Sequence, residues 1–204
     1  MKLTGWRHTA SWTYLVMLMA SLAALLVSFV LSAETLELAR HPQAGLACDV
    51  NAVISCSTVA NSWQSEFIRW GSLSFPNAFF GIAAESVFVT VAVIGLSRVK
   101  LPRWFAVAAW AGNLLAVAYA IWLFTQSVFV IQALCPWCLG LLASTLIQFM
   151  AMSHATFAVQ NLPSHNTTLR TYYHLNIDLL VDVLILALFA ALIFVKYGAA
   201  LFAA

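Results

Sequence analysis

The sequence predicts an all-α integral membrane protein: a bundle of four membrane-spanning helices with an extracytoplasmic half-helix, plus a fifth membrane-spanning helix. Of its 204 residues, 63% are hydrophobic and 8% are charged, and the mean hydropathy is +0.93, whereas a typical soluble domain carries about 25% charged residues. The formal net charge of +2 is too small to indicate a basic surface for nucleic acid. We expect a single membrane domain over residues 1–204.

Long apolar runs with few or no charged residues predict the positions of the membrane spans. No Asp, Glu, Lys or Arg occurs in residues 9–33 or 104–169, and about 20 apolar residues suffice for one helical crossing. The second run is long enough for two crossings, which turn at a polar cluster near residues 125–132. A cleaved signal peptide is the alternative for the first span. The predicted spans are 12–32, 77–97, 104–128, 134–157 and 177–200.

The distribution of Lys and Arg predicts the orientation. Six of the nine basic residues fall on one side of this topology, and basic residues in short loops favour the cytoplasm. They are Lys2, Arg7, Arg98, Lys100, Arg103 and Arg170. The N-terminus is then cytoplasmic in a multi-pass protein of the inner (plasma) membrane, while the loop at 33–75 and the turn at 129–135 face outward. All four cysteines share this oxidising face, where disulfides form and persist.

Two of the cysteines form a C-x-x-C motif, Cys135-Pro136-Trp137-Cys138, at the start of the fourth span. Proline is favoured at the first helical position, so Cys135 is expected at the N-cap and Cys138 at the third helical residue. The free N–H groups and partial positive charge of a helix N-terminus favour a thiolate. The motif therefore predicts a redox-active dithiol; an inert disulfide is the alternative.

The other two cysteines, Cys48 and Cys56, are eight positions apart. In a continuous helix their Cα atoms would lie about 12 Å apart, too far for a disulfide. If they pair, residues 48–56 must form a folded, non-helical turn. The alternatives are a structural staple of the loop contributing roughly 2–3 kcal/mol and a zinc site formed by all four cysteines.

Residues 57–70 carry Val59, Trp63, Phe67 and Trp70 at helical spacing, with polar residues between them. This pattern predicts an amphipathic helix at the membrane interface, which anchors the loop to lipid or covers a pocket above the helix ends.

Glu85 is the only acid in the second predicted span. An isolated acid in hydrocarbon is a candidate for a functional role, here proton uptake. Interhelical pairing with a polar group such as Asn113 is the alternative, and the one that we favour from the sequence.

Four segments resemble the vitamin K epoxide reductase family over roughly residues 10–157. They are Ala47-Cys48-Asp49-Val50, Ile54-Ser55-Cys56-Ser57, Asn77-Ala78-Phe79-Phe80-Gly81 and the C-x-x-C motif. The resemblance implies a four-helix bundle that holds a quinone, either menaquinone or ubiquinone, beside Cys138. It also implies that Cys135 exchanges disulfides with Cys56, that Cys48 faces a protein partner and that Asn77 hydrogen-bonds a quinone carbonyl. Phe80 and Ser57 complete the implied quinone-binding set.

The resemblance predicts an enzyme that makes disulfide bonds, a quinone-dependent thiol-disulfide oxidoreductase. Electrons would pass from a separate extracytoplasmic thioredoxin-fold oxidoreductase (DsbA-like) through the two cysteine pairs to the quinone. The partner is expected to be separate because the chain ends after a fifth span without a thioredoxin domain. Reduction of a vitamin K epoxide or quinone by partner thiols is one alternative, although Leu142 stands where the animal epoxide-reducing enzymes carry a tyrosine. A non-catalytic membrane scaffold stapled by disulfides is another.

Overall fold

Five long helices form the body of the protein in the computed structural model, which describes residues 8–42, 45–66, 68–71, 73–99, 101–160 and 167–202. In chain order, the elements are α1 (Ala10–Arg40), α2 (Cys56–Ala60), β1 (Ile68–Trp70), β2 (Leu73–Phe75), α3 (Asn77–Leu96), α4 (Arg103–Thr125), α5 (Pro136–His154), α6 (Thr167–His174) and α7 (Ile177–Phe202). Two π-helical turns, Gln126–Ile131 and Ala155–Val159, extend α4 and α5. The five long helices are long and apolar enough to cross a membrane, which confirms the predicted fold class.

The first helix is longer than the sequence predicts. α1 continues to Arg40, eight residues beyond the predicted end of the first span. Residues 33–40 are mostly good helix formers, and Pro42, the next helix breaker, disfavours helical conformation at the residue before it. The outer loop therefore begins at His41 rather than at residue 33. Glu34, which the sequence places in the loop, lies in the helix instead.

The core of the bundle lies where α1 packs against α3 and α5. Tyr14 and Met17 of α1 are buried together with Phe88 of α3 and Met152 of α5. α3 and α1 approach closely at Gly95, where an added Cβ atom would clash with the Tyr14 ring. A larger residue at this position would force the ring or the helices to shift.

Helix α7 is hydrogen-bonded near its two ends to the π-helical turn after α4 and to the end of α5. Near its C-terminus, the Tyr197 hydroxyl donates a hydrogen bond to the Val128 carbonyl at 2.8 Å. Near its N-terminus, Asp178 Oδ2 lies 2.7 Å from Nδ1 of His154 at the end of α5, and both side chains are buried. The fifth span is therefore packed against the bundle through polar as well as apolar contacts.

The half-helix after Cys56 is present but shorter than the sequence pattern predicts. α2 ends at Ala60, a 3₁₀ turn covers Trp63–Glu66, and β1 pairs with β2 as an antiparallel hairpin. The prediction of one amphipathic helix over residues 57–70 is therefore wrong beyond Ala60.

Local hydrogen bonds explain the early end of this helix. The Ser62 hydroxyl donates to the Val59 carbonyl at 2.6 Å, and Ser65 donates to the Ala60 carbonyl; such bonds compete with the helical pattern. Gly71, with φ of +61°, then lies between the two strands, a conformation that glycine adopts without strain. Trp70 remains 82% exposed, and Phe67, a member of the predicted stripe, lies outside the described residues.

Candidate functional site

The loop between α1 and α2 contains a disulfide bond. Cys48 and Cys56 are joined, with their Cα atoms 5.8 Å apart. The Asn51 side chain folds the intervening chain, since its Oδ1 accepts hydrogen bonds from the amides of Val53 and Ile54 at 2.9 and 2.8 Å. The segment is non-helical, as the spacing of the two cysteines requires for a disulfide.

Asp49 connects the two sides of this disulfide loop. Its carboxylate accepts hydrogen bonds from the Leu46 amide at 2.7 Å and from the Ser57 amide and Ser55 hydroxyl, each at 3.0 Å. Burial acts to raise the pKa of Asp49, but the hydrogen bonds from Ser57, Leu46 and Ser55 outweigh it and hold the pKa at about 2. The carboxylate is therefore ionised at neutral pH, and its lone pairs are already engaged.

The C-x-x-C motif begins α5, as predicted. Cys135 is the N-cap, Pro136 is the first helical residue, and the Cys138 amide donates to Cys135 Sγ at 3.3 Å. Both cysteines are free thiols. The pKa of the Cys135 thiol is lowered because the Cys138 thiol donates to its sulfur; burial opposes this effect, and the amides of Cys138 and Trp137 add to it. The lowered pKa favours the thiolate form of Cys135.

A short backbone bridge joins the two cysteine pairs. Ile54 and Leu134 form an isolated parallel β-bridge, in which the Ser55 amide donates to the Leu134 carbonyl at 3.1 Å. Cys56 follows Ser55 and Cys135 follows Leu134, so the bridge brings the segments that carry these two cysteines together. Both are 2% exposed and belong to one buried cluster.

A cavity of about 410 Å³ lies next to the cysteine pairs, and Cys56, Cys135 and Cys138 contribute to its wall. Its volume is within the range of pockets that bind small organic ligands. The rest of the wall is mostly apolar and comes from α1, α3, α4 and α5. Among its residues are Leu31, Ala84, Leu115, Ala120, Phe124, Leu139 and Leu142.

Three of the four predicted ligand-binding residues line this cavity, and the fourth, Ser57, does not. Asn77 and Phe80 line it, and Asn77 Nδ2 donates to the Gln64 carbonyl at 2.6 Å. Ser57 is not among the lining residues; its amide faces Asp49, and its hydroxyl lies 3.3 Å from that of Ser55. The structure thus brings Asn77, Phe80 and Cys138 together around one cavity. Ser57 lies outside the lining of this cavity and is hydrogen-bonded to Asp49 instead.

Glu85 lines the deeper part of the same cavity and is 3% exposed. Its polar neighbour across the helix interface is Gln148 of α5, so the expected interhelical pairing involves Gln148 rather than Asn113, whose amide donates to Met152 Sδ at 3.3 Å. Among the described residues, Glu85 Oε2 has no hydrogen-bond partner. This oxygen therefore remains available to a polar group inside the cavity.

Glu34 is a residue of the site that the sequence did not reveal. Its Oε1 lies 3.4 Å from Cys48 Sγ, and its side chain also lines the cavity. A first span that ends at residue 32 leaves Glu34 in a loop of undefined structure. The run of helix formers before Pro42 is the signal that extends α1 and places an acid beside the cysteines.

A bundle of membrane-spanning helices that holds a disulfide and a dithiol in one buried cluster at one end, beside an apolar cavity, is the arrangement of a membrane oxidoreductase. A search of curated proteins found no match. The model of the vitamin K epoxide reductase family matches residues 15–153, which is more than half of the chain. The protein therefore belongs to the vitamin K epoxide reductase family, and it is a multi-pass membrane redox enzyme.

Proposed function

We propose that the protein makes disulfide bonds in a separate thioredoxin-fold partner and passes the electrons to a membrane quinone. The observation that carries this proposal is the bridge between Ile54 and Leu134, because it joins the disulfide loop to the segment before the C-x-x-C motif, and Cys56 and Cys135 belong to one buried cluster there. Cys138 in turn lines the cavity. Electrons can thus pass from the disulfide of the surface loop to the C-x-x-C pair, and from there to an acceptor in the apolar cavity.

Two exchanges carry the electrons within the protein. Thiols of the partner reduce the Cys48–Cys56 disulfide by attack at Cys48, and the Cys56 thiolate then attacks Cys135 of an oxidised Cys135–Cys138 pair. Attack of Cys48 on Cys56 restores the outer disulfide and leaves Cys135 and Cys138 reduced. The bonding in the structure, with Cys48–Cys56 joined and the other two cysteines free, corresponds to the state after this exchange.

The cavity fits a quinone headgroup in size and chemistry. Its wall is mostly apolar, as a lipid-soluble ring requires, and Asn77 and Glu85 offer polar groups for carbonyl oxygens. Phe80 provides an aromatic wall, and Cys138 is the sulfur that we propose to react with the quinone. A quinone held there supplies a two-electron acceptor, and menaquinone and ubiquinone share this chemistry.

We further propose that the cysteine end of the bundle, formed by the described residues within 41–76 and by residues 126–138, faces away from the cytoplasm in the inner (plasma) membrane. Arg98 and Arg103 lie at the opposite end of α3 and α4, as the preference of basic residues for the cytoplasm predicts. Lys2, Arg7 and Lys100, which support the same orientation, lie outside the described residues. This orientation exposes the disulfide loop to an oxidising compartment.

Reduction of an epoxide by partner thiols is less well supported. Leu142 lines the cavity and is 5% exposed, so this position offers an apolar wall instead of a hydroxyl group.

The proposal is tested by mixing purified protein, a reduced thioredoxin-fold protein and a short-chain ubiquinone without oxygen. The loss of partner thiols and of quinone absorbance is followed together. We expect two thiols to disappear for each quinone reduced. Quinone reduction without thiol loss, or no turnover of either, would contradict the proposed function and favour a non-catalytic scaffold.

Replacing Asn77 by alanine should weaken the use of quinone. Leaving a desolvated quinone carbonyl without its hydrogen-bond donor typically costs ~1–3 kcal/mol of binding free energy. We therefore expect the KM for quinone to rise, or kcat to fall, by roughly tenfold or more. Asn77→Asp, which keeps the shape but lacks the donor, should be impaired as well. Ser86→Ala, an exposed change on the same helix, serves as control. An unchanged quinone titration in Asn77→Ala would assign this residue only to holding the Gln64 carbonyl.

A further inference from the structure

We propose that Glu34 accepts the proton of the Cys48 thiol when Cys48 attacks Cys56 to restore the outer disulfide. This inference rests on the proposed function, since it concerns one exchange of the electron relay. It adds a proton-transfer residue to a set that otherwise consists of cysteines.

The position of Glu34 carries the inference. Its Oε1 lies 3.4 Å from Cys48 Sγ, and a carboxylate oxygen of Glu34 and the two sulfurs of Cys48 and Cys56 all lie within 4.8 Å of one another. The Glu34 side chain is partly exposed, so the carboxylate can lose an acquired proton to water. The Glu34 carboxylate therefore combines two properties that a proton acceptor needs here: contact with the reacting sulfur and access to solvent.

The other acids near the loop are less suited to this task. Asp49, adjacent to Cys48 in sequence, already accepts three hydrogen bonds from Leu46, Ser55 and Ser57, and its pKa of about 2 makes it a poor proton acceptor. Glu37 lies one turn further along α1, where its Oε1 is 3.9 Å from His41 Nε2 and both side chains are more than half exposed. Apart from Asp49, the titratable groups that face Glu34 are the cysteines themselves.

The exchange balances without another reactant. In the mixed disulfide between Cys56 and Cys135, the Cys48 thiol gives its proton to the Glu34 carboxylate, and its sulfur attacks Cys56 Sγ. The Cys48–Cys56 bond forms as the Cys56–Cys135 bond breaks, and the electron pair leaves on Cys135 Sγ as a thiolate. The Cys138 amide, 3.3 Å from Cys135 Sγ, stabilises that leaving group. One disulfide is broken and one is formed, and the proton moves from sulfur to carboxylate.

The test uses Glu34→Gln, which keeps the side-chain shape but removes the basic oxygen, with Glu37→Gln as the matched control on the same helix. The fully oxidised protein is mixed with a reduced thioredoxin-fold protein and quenched with acid at intervals. Peptide mapping without reduction measures the decay of the Cys56–Cys135 species. We expect the decay in Glu34→Gln to be at least tenfold slower at pH 6.5, since general bases typically contribute 10²–10⁴-fold, and unchanged in Glu37→Gln.

The pH profile separates proton transfer from a structural role. The difference between wild type and Glu34→Gln should shrink as the pH approaches about 8.5, the ordinary pKa of a cysteine thiol, because the thiolate then forms without a base. Glu34→Asp, which retains the carboxylate, should decay at an intermediate rate even if Glu34→Gln folds poorly. An equal decay in Glu34→Gln and wild type, or a slowing that is constant with pH, would overturn the role of Glu34 while leaving the relay intact. Complete absence of the Cys56–Cys135 species from all of these proteins would overturn the relay and this inference with it.

Discussion

Replacement of any one of the four cysteines by alanine is expected to reduce oxidation of a thioredoxin-fold substrate to the background rate. Each exchange needs both sulfurs of a pair, because one forms the mixed disulfide and the other releases it. Loss of substrate thiols in the presence of quinone measures the effect. Ser97→Ala, at the opposite end of α3, should retain wild-type activity.

The two outer cysteines make this series decisive. The C-x-x-C pair has its own helix N-terminus and cavity, and it would suffice if the protein oxidised its substrate directly. Full activity in Cys48→Ala or Cys56→Ala would therefore remove the relay and leave Cys135 and Cys138 acting alone.

The second large effect concerns which sulfurs meet. In the double variant Cys48→Ala/Cys138→Ala, only Cys56 and Cys135 remain, and we expect mild oxidation with diamide to join them in most molecules. The bond should persist because neither resolving thiol is present. It should be less abundant in the single variant Cys138→Ala, in which Cys48 still releases it. Peptide mapping without reduction identifies the bonded pair.

The matched control is Cys56→Ala/Cys138→Ala, which leaves Cys48 and Cys135. The backbone bridge joins Leu134 to Ile54, two residues before Cys56, and Cys56 is buried in one cluster with Cys135 whereas Cys48 is only partly buried, so this variant should form little internal disulfide. Preferential bonding of Cys48 to Cys135 would mean that the inner and outer cysteines have been assigned the wrong way round.

Local sequence signals predict the parts of the site that lie within one helix. Pro136 and the two flanking cysteines specify a helix start, and the structure has Cys135 at the N-cap. Long apolar runs likewise specify the second to fifth spans, whose helices begin and end within about three residues of the predicted bounds. These features depend on neighbours in the chain, which is why they can be read from it.

Features that depend on distant contacts were not predictable in this way. The bridge between Ile54 and Leu134 joins segments 80 positions apart, and nothing in either segment specifies the other. The contact of Glu34 with Cys48 depends on how far α1 extends. The hairpin at residues 68–75 replaces a helix because serine hydroxyls end α2, although the spacing of its apolar residues fits helical periodicity as well.

The most direct test of the relay is the number of quinones that one fully reduced protein molecule consumes. With all four cysteines reduced and excess quinone present without oxygen, each dithiol supplies two electrons. Two connected pairs predict two quinols per wild-type molecule, one per molecule of Cys48→Ala or Cys56→Ala, and none for Cys138→Ala. A wild-type protein that yields only one quinol would contradict the account, because the Cys48–Cys56 pair would then lie outside the path of the electrons.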